Sequence, residues 1–134
     1  MEIKIHNQTK MKIYDLKSKL FMVFNSILDD KKMHIIFIEN EKMQKMNFYY
    51  RNKNYPTDIL TFINEIDDDS LGDVFISLTE ALLQADHFCC NFIKEVCFLS
   101  LHGYLHLKGY KDENYEELNG MINIQNQILS KYIF

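Results

Sequence analysis

The sequence predicts an α+β domain in which one small mixed β-sheet is covered by helices. Two observations carry this: short β-branched runs crowd the first half, and helical periodicity fills the chain from Leu78 onward. A third makes it one domain spanning residues 1–134, since no linker, repeat or low-complexity tract interrupts the chain.

Lys4 to His6 opens a short strand, and Met11 to Leu28 repeats apolar residues at Ile13, Leu16, Leu20, Phe24, Ile27 and Leu28, near the helical period. Met33 to Glu39, MHIIFIE, is a β-branched run between charged flanks and predicts a buried strand. Glu41 to Tyr50 predicts a short helix. In the loop Asn52 to Thr57, Pro56 fixes its own φ and biases Tyr55 to an extended conformation. Ile59 to Asn64 and Leu71 to Ser77 read as strands separated by the acidic turn Glu65 to Ser70. Helices follow over Leu78 to Cys90, Phe92 to Lys108 and Asn114 to Ile133.

Composition narrows the class. A chain of 134 residues with 47% hydrophobic content buries a core without covalent help. No apolar stretch is long enough to span a bilayer, and MEIKIHNQTK lacks the basic, apolar and small-residue succession of a signal peptide. A cytoplasmic protein with no membrane partner is expected. Cys89, Cys90 and Cys97 form no CxxC and are odd in number, so they are expected to be reduced core thiols. A net charge of −4 excludes broad electrostatic adhesion to nucleic acid, so any such contact must be local. Of fifteen basic residues only Arg51 is Arg. A bidentate planar donor suits phosphate as Lys does not, which makes Arg51 a candidate; chance survival of one Arg is the alternative.

The densest chemistry lies in His102 to Asp112, HGYLHLKGYKD. His102 and His106 stand at i and i+4, which puts both imidazoles on one helix face about 6 Å apart, as two ligands of one ion require. Gly109 can reverse the chain past the helix end, and Asp112 follows three residues later as third ligand. Alone, the histidine pair also fits core histidines satisfied by hydrogen bonds; Gly109 and Asp112 favour the metal. The pattern HxxxHxxGxxD shares its spacing with the extended metzincin signature HExxHxxGxxH. Gly103 stands where those peptidases carry their general-base Glu, which counts against proteolysis. Asp112 stands where they have a third His, and its charge makes the site less electrophilic and suits a harder divalent ion than zinc. His6, His34 and His87 have no partner at ligand spacing. Glu95, about 10 Å along the helix axis from His102, lies too far for a ligand and is expected in a salt bridge.

Three segments in order resemble the YbeY endoribonuclease family of ribosomal RNA maturation factors. YYRNKNYPTDILTF, Tyr49 to Phe62, resembles the family's YRxKDxPTDVLSF; LGDVFIS, Leu71 to Ser77, its LGDIVIS; HGYLHLKGYKD, His102 to Asp112, its HGxLHLxGYDH. KEVCFLSL, before the histidines, is also similar to the family's lead-in. The resemblance implies a zincin-like metalloprotease topology and one zinc ion. It also implies hydrolysis of single-stranded RNA at the end of small-subunit ribosomal RNA and in ribosome quality control, without DNA specificity. Carried over by position, His102 and His106 are ligands and Arg51 is the arginine of the catalytic cleft. The family has His where this chain has Asp112, and a slip of one residue would make Glu113 the ligand instead. Another divalent metal is therefore admitted beside zinc.

The expected mechanism has the metal activating water or polarising a phosphoryl oxygen while Arg51 neutralises growing charge. Lys42, Lys45 and Lys53 are candidate contacts for the RNA backbone, against the common alternative of a solvated face. Asp58 is expected to begin a strand and Asp73 to hold a loop. Two rivals remain: a metallopeptidase, and a non-catalytic ribosome-associated module whose metal only pins the Gly109 loop.

Overall fold

A computed structural model describes residues 1–134. Its elements, in chain order, are β1 (Glu2–Asn7), α1 (Tyr14–Asn25), β2 (Lys32–Ile38), α2 (Asn40–Arg51), β3 (Ile59–Ile63), β4 (Ser70–Ser77), α3 (Leu78–His87), α4 (Phe92–Leu107) and α5 (Tyr115–Leu129). The predicted α+β class holds, with one four-stranded sheet in the order β1-β2-β4-β3. β1, β2 and β4 run parallel, and β3 pairs antiparallel to β4 at one edge, so the sheet is mixed.

Strand alternation divides the apolar residues between two cores. Ile35 and Phe37 of β2, Val74 and Ile76 of β4 and Ile59 of β3 join the larger core, built with α1, α3, α4 and α5. Ile36 and Ile38 of β2 and Leu60 of β3 point the other way and pack under Met43 of α2. Helices therefore cover both faces. α4 carries the thickest share, because Val96, Cys97, Leu99, Leu101, Leu105 and Leu107 leave it almost no polar side.

Gly103 sets how closely α4 lies on the sheet. A Cβ there would stand 2.7 and 2.9 Å from the two methyls of Val74 and 3.1 Å from Ile59 Cδ1, so only glycine permits the observed approach. On the other side of the helix Tyr104 donates to Asp29 Oδ2 (2.9 Å), and Lys108 Nζ lies 3.1 Å from the same oxygen. The Lys31 N–H donates to Asp29 Oδ1 (3.0 Å). Burial alone would raise the Asp29 carboxyl. The donors from Lys31, Lys108 and Tyr104 outweigh it and hold the group below the usual carboxylate range. This anchor fixes the roll of α4 about its axis.

Several element ends differ from expectation. α1 begins at Tyr14, because Asn7 Oδ1 accepts from the Thr9 N–H and hydroxyl and Thr9 Oγ1 accepts from the Met11 N–H, which commits those residues to turns. α3 stops at His87 and the chain turns through Cys89 at φ 53°, so Cys89 and Cys90 are exposed; only Cys97 is a core thiol. Asp73 lies within β4 as the strand reading expects, and its side chain lines a hollow on the outer sheet face and holds no loop. No helix is long and apolar enough to cross a membrane.

Candidate metal centre and cleft

α4 delivers the histidines and its C-terminus delivers the third group. The helix ends in a Schellman arrangement: the Gly109 N–H donates to the His106 carbonyl and the Tyr110 N–H to the Leu105 carbonyl, with Gly109 at φ 102°. That reversal returns the chain along the helix and sets Asp112 against both histidines. Asp112 Oδ2 lies 3.3 Å from His102 Nε2 and 3.2 Å from His106 Nε2, and the two Nε2 atoms are 3.0 Å apart. Asp112, not Glu113, joins the ligand cluster.

The far side of each ring fixes its tautomer. His102 Nδ1 faces Gln125 Oε1 at 3.1 Å, and Gln125 is oriented because its Nε2 donates to the Phe98 carbonyl at 2.9 Å. His106 Nδ1 donates to the Tyr110 carbonyl at 3.1 Å. Both acceptors require the proton on Nδ1, so both Nε2 atoms present lone pairs. Two imidazole lone pairs and a carboxylate oxygen crowded together repel unless a cation lies among them. The residues therefore fit a divalent metal, and zinc accepts this donor set.

A second histidine pair supplies the contrast. His6 Nε2 and His34 Nδ1 approach to 2.9 Å on the outer sheet face, a partnership that spacing along the chain did not reveal. Their rings are 20° from parallel with centroids 5.1 Å apart. Two stacked rings cannot bring nitrogens so close. The rings meet edge to edge and share one hydrogen between collinear lone pairs. His102 and His106 cross at 87° with centroids 4.6 Å apart, so their lone pairs converge on a third point.

The ligands open into a cleft of about 600 Å³ lined also by Arg51, Thr57, Asp58, Thr61, Gln84 and Glu95. Arg51 arrives from α2 on one face of the sheet and the histidines from α4 on the other; they meet around the edge strand β3. Asn52, left-handed at φ 56°, caps α2, and the buried Asn47 amide donates to the Tyr55 carbonyl (2.8 Å), strapping the loop after Arg51 to the helix. Arg51 makes no ion pair within the chain. Asp58 stands immediately before β3 and accepts from Gln84 Nε2 (3.0 Å). Glu95 forms no salt bridge; it accepts a bond from the Cys90 thiol (3.7 Å) and faces the cleft. Burial pushes its carboxyl up, the Cys90 bond opposes this, and the charge of Asp58 adds to it. Lys42 donates to Gln8 and lines a separate hollow on the outer sheet face, while Lys45 and Lys53 lie outside the cleft lining.

A mixed sheet crossed by a histidine-bearing helix, with a carboxylate returned by its terminal loop, defines a small zincin-like metal-dependent hydrolase. A family model described as Endoribonuclease YbeY matches residues 2–133. The chain belongs to the YbeY endoribonuclease family. It is 51% identical over 131 residues to the Endoribonuclease YbeY of Phytoplasma mali, covering 98% of this chain and 88% of that protein. The Acholeplasma laidlawii protein of the same name is 39% identical, with 98% and 96% covered. The solution structure of TM1509 from Thermotoga maritima superposes with a TM-score of 0.65 at 25% identity, over 96% of this chain and 90% of that one.

Proposed function

We propose that residues 1–134 act as one domain that cleaves single-stranded RNA with zinc, its substrate being small-subunit ribosomal RNA in the cytoplasm. The observation that supports this most is the placing of an unpaired Arg51 in the same cleft as His102, His106 and Asp112. Zinc held by those three residues would supply a Lewis acid and an activated water. Arg51 is then the donor for the phosphoryl oxygens, since its guanidinium is not engaged elsewhere and reaches the cleft from the opposite face. Asp58 and Glu95 on the cleft wall would repel a phosphate, which leaves the Arg51 side for the backbone. Lys53, two residues beyond Arg51, is then the lysine nearest in sequence to that phosphate, whereas Lys42 and Lys45 serve only a strand that continues past the cleft.

Proteolysis is disfavoured on steric as well as chemical grounds. A general-base Glu in place of Gly103 would start with a Cβ inside the contact radius of Val74. The test is cleavage of a single-stranded RNA by zinc-loaded protein. Arg51→Ala is expected to lose about 10²–10³-fold in rate while zinc content is unchanged. A wild-type rate in that variant removes Arg51 from the mechanism. Chelation should abolish cleavage and zinc should restore it. Unfolding on chelation, with no RNA cut by the intact form, would make the metal purely structural.

A further inference from the structure

The surface beside Arg51 is unusually aromatic. Tyr49 is 80% exposed and Tyr50 57%, although rings of this size gain from burial. They are not loose. Tyr50 meets Phe62 of β3 edge-on (centroids 4.8 Å, 63°), and Phe62 meets the half-buried Phe75 of β4 (5.7 Å, 87°). Tyr49 stands against Tyr50 (4.8 Å, 82°). An aromatic ladder thus rises from the sheet and ends in open solvent.

Its position is specific. Tyr50 precedes Arg51 and Phe62 follows Thr61, and both Arg51 and Thr61 line the cleft. Because side chains alternate along β3, Phe62 turns from the Thr61 side onto the face covered by α2, so the ladder stands behind the edge of the cleft and adjoins it through Arg51, the neighbour of Tyr50. Exposed, braced rings beside unpaired cations are what an unpaired nucleobase with a neighbouring phosphate requires. A base within a duplex has its faces covered by its own neighbours.

We propose that Tyr50, braced by Phe62 and flanked by Tyr49, is the stacking platform for an unpaired base next to the phosphate held at Arg51. The platform thereby sets the preference for single strands; it rests on the endoribonuclease reading and deepens it. Backbone contacts from Arg51 and lysines accept either form of RNA, so the rings supply the discrimination.

The experiment uses the zinc-loaded full chain, with wild type, Tyr50→Phe and Tyr50→Leu, and a single-stranded RNA carrying one abasic position moved along its length. Tyr50→Leu should raise KM about 5- to 150-fold with zinc content and melting temperature unchanged, and Tyr50→Phe should stay near wild type. In the wild type one abasic position near the cleavage site should weaken binding; in Tyr50→Leu the same position should cost nothing further. A wild-type KM in Tyr50→Leu, or an unchanged abasic penalty, overturns the platform. Binding of a non-cleavable 2′-O-methyl strand, followed by anisotropy, keeps the two readings apart. If the wild type cuts no RNA yet shows the abasic pattern, the platform stands and the nuclease reading falls. Equal binding of single and double strands, insensitive to abasic positions, overturns the platform and assigns the rings to a protein partner.

Discussion

Replacing Gln125 by Met tests how the zinc ligands are held. Gln125 is fully buried, and its Oε1 is the acceptor facing His102 Nδ1. Methionine keeps the volume and deletes the acceptor. The His102 side chain is only 15% exposed, so little water can replace the lost partner. An orphaned buried donor costs about 1–3 kcal/mol. The ring escapes that cost by moving its proton to Nε2, which removes the lone pair that binds zinc. Zinc binding must reverse the move, so affinity should fall about 10- to 100-fold, the usual effect of removing a histidine's outer partner. Competition titration with a chelator of known affinity measures the loss, and cleavage at saturating zinc should recover most of its rate. A zinc dissociation constant within twofold of wild type, in a folded variant, would refute the account of a tautomer set by Gln125.

Gly103→Ala gains about 1 kcal/mol of helix propensity but forces a methyl against Val74, at a cost of about 1–3 kcal/mol, so the melting temperature should drop. A higher melting temperature would show that α4 is free to lift. Asp29, with its pKa lowered in the fold, adds stability that is present above the ordinary carboxylate pKa of 3.8 and lost as pH falls through the lower folded value. Acid titration of Asp29→Asn should therefore show a shallower loss of stability below pH 3.8 than the wild type; parallel curves would remove Asp29 from the acid transition. Thiol labelling should modify Cys89 and Cys90 in the native protein and reach Cys97 only on unfolding, because burial pushes the Cys97 thiol up to about 12. Fast native labelling of Cys97 would contradict the core packing.

What was legible in the sequence was local. His102 and His106 are one helical turn apart, and Gly109 and Asp112 follow within the same reversal, so spacing sufficed to propose the cluster. Gln125 lies 23 residues from His102 and meets it only because α5 packs back on α4; an isolated Gln in a polar helical stretch carries no signal of that. His6 and His34 met across neighbouring strands for the same reason. For Glu95, helix geometry gave its distance along the axis correctly and missed that the cleft runs beside it. The strand content was readable from β-branched runs, but strand order depends on pairing between distant segments, so the edge position of β3 was not. Cys89 and Cys90 were misplaced because the apolar pattern of α3 runs past its true end at His87.

The contact between Gly103 and Val74 also bears on how chemistries can change within a shared scaffold. Peptidases with the matching histidine spacing differ at two positions, Glu for Gly103 and His for Asp112, and the first looks open to a single substitution. The packing opposes that step: a Cβ at 103 stands 2.7 and 2.9 Å from the methyls of Val74, so a glutamate there needs α4 lifted from the sheet or a smaller residue at Val74 first. Those intermediates would carry a void in the core without any new activity. The two functions are thus separated by a valley of stability, and the boundary is kept by volume as much as by the identity of the catalytic groups.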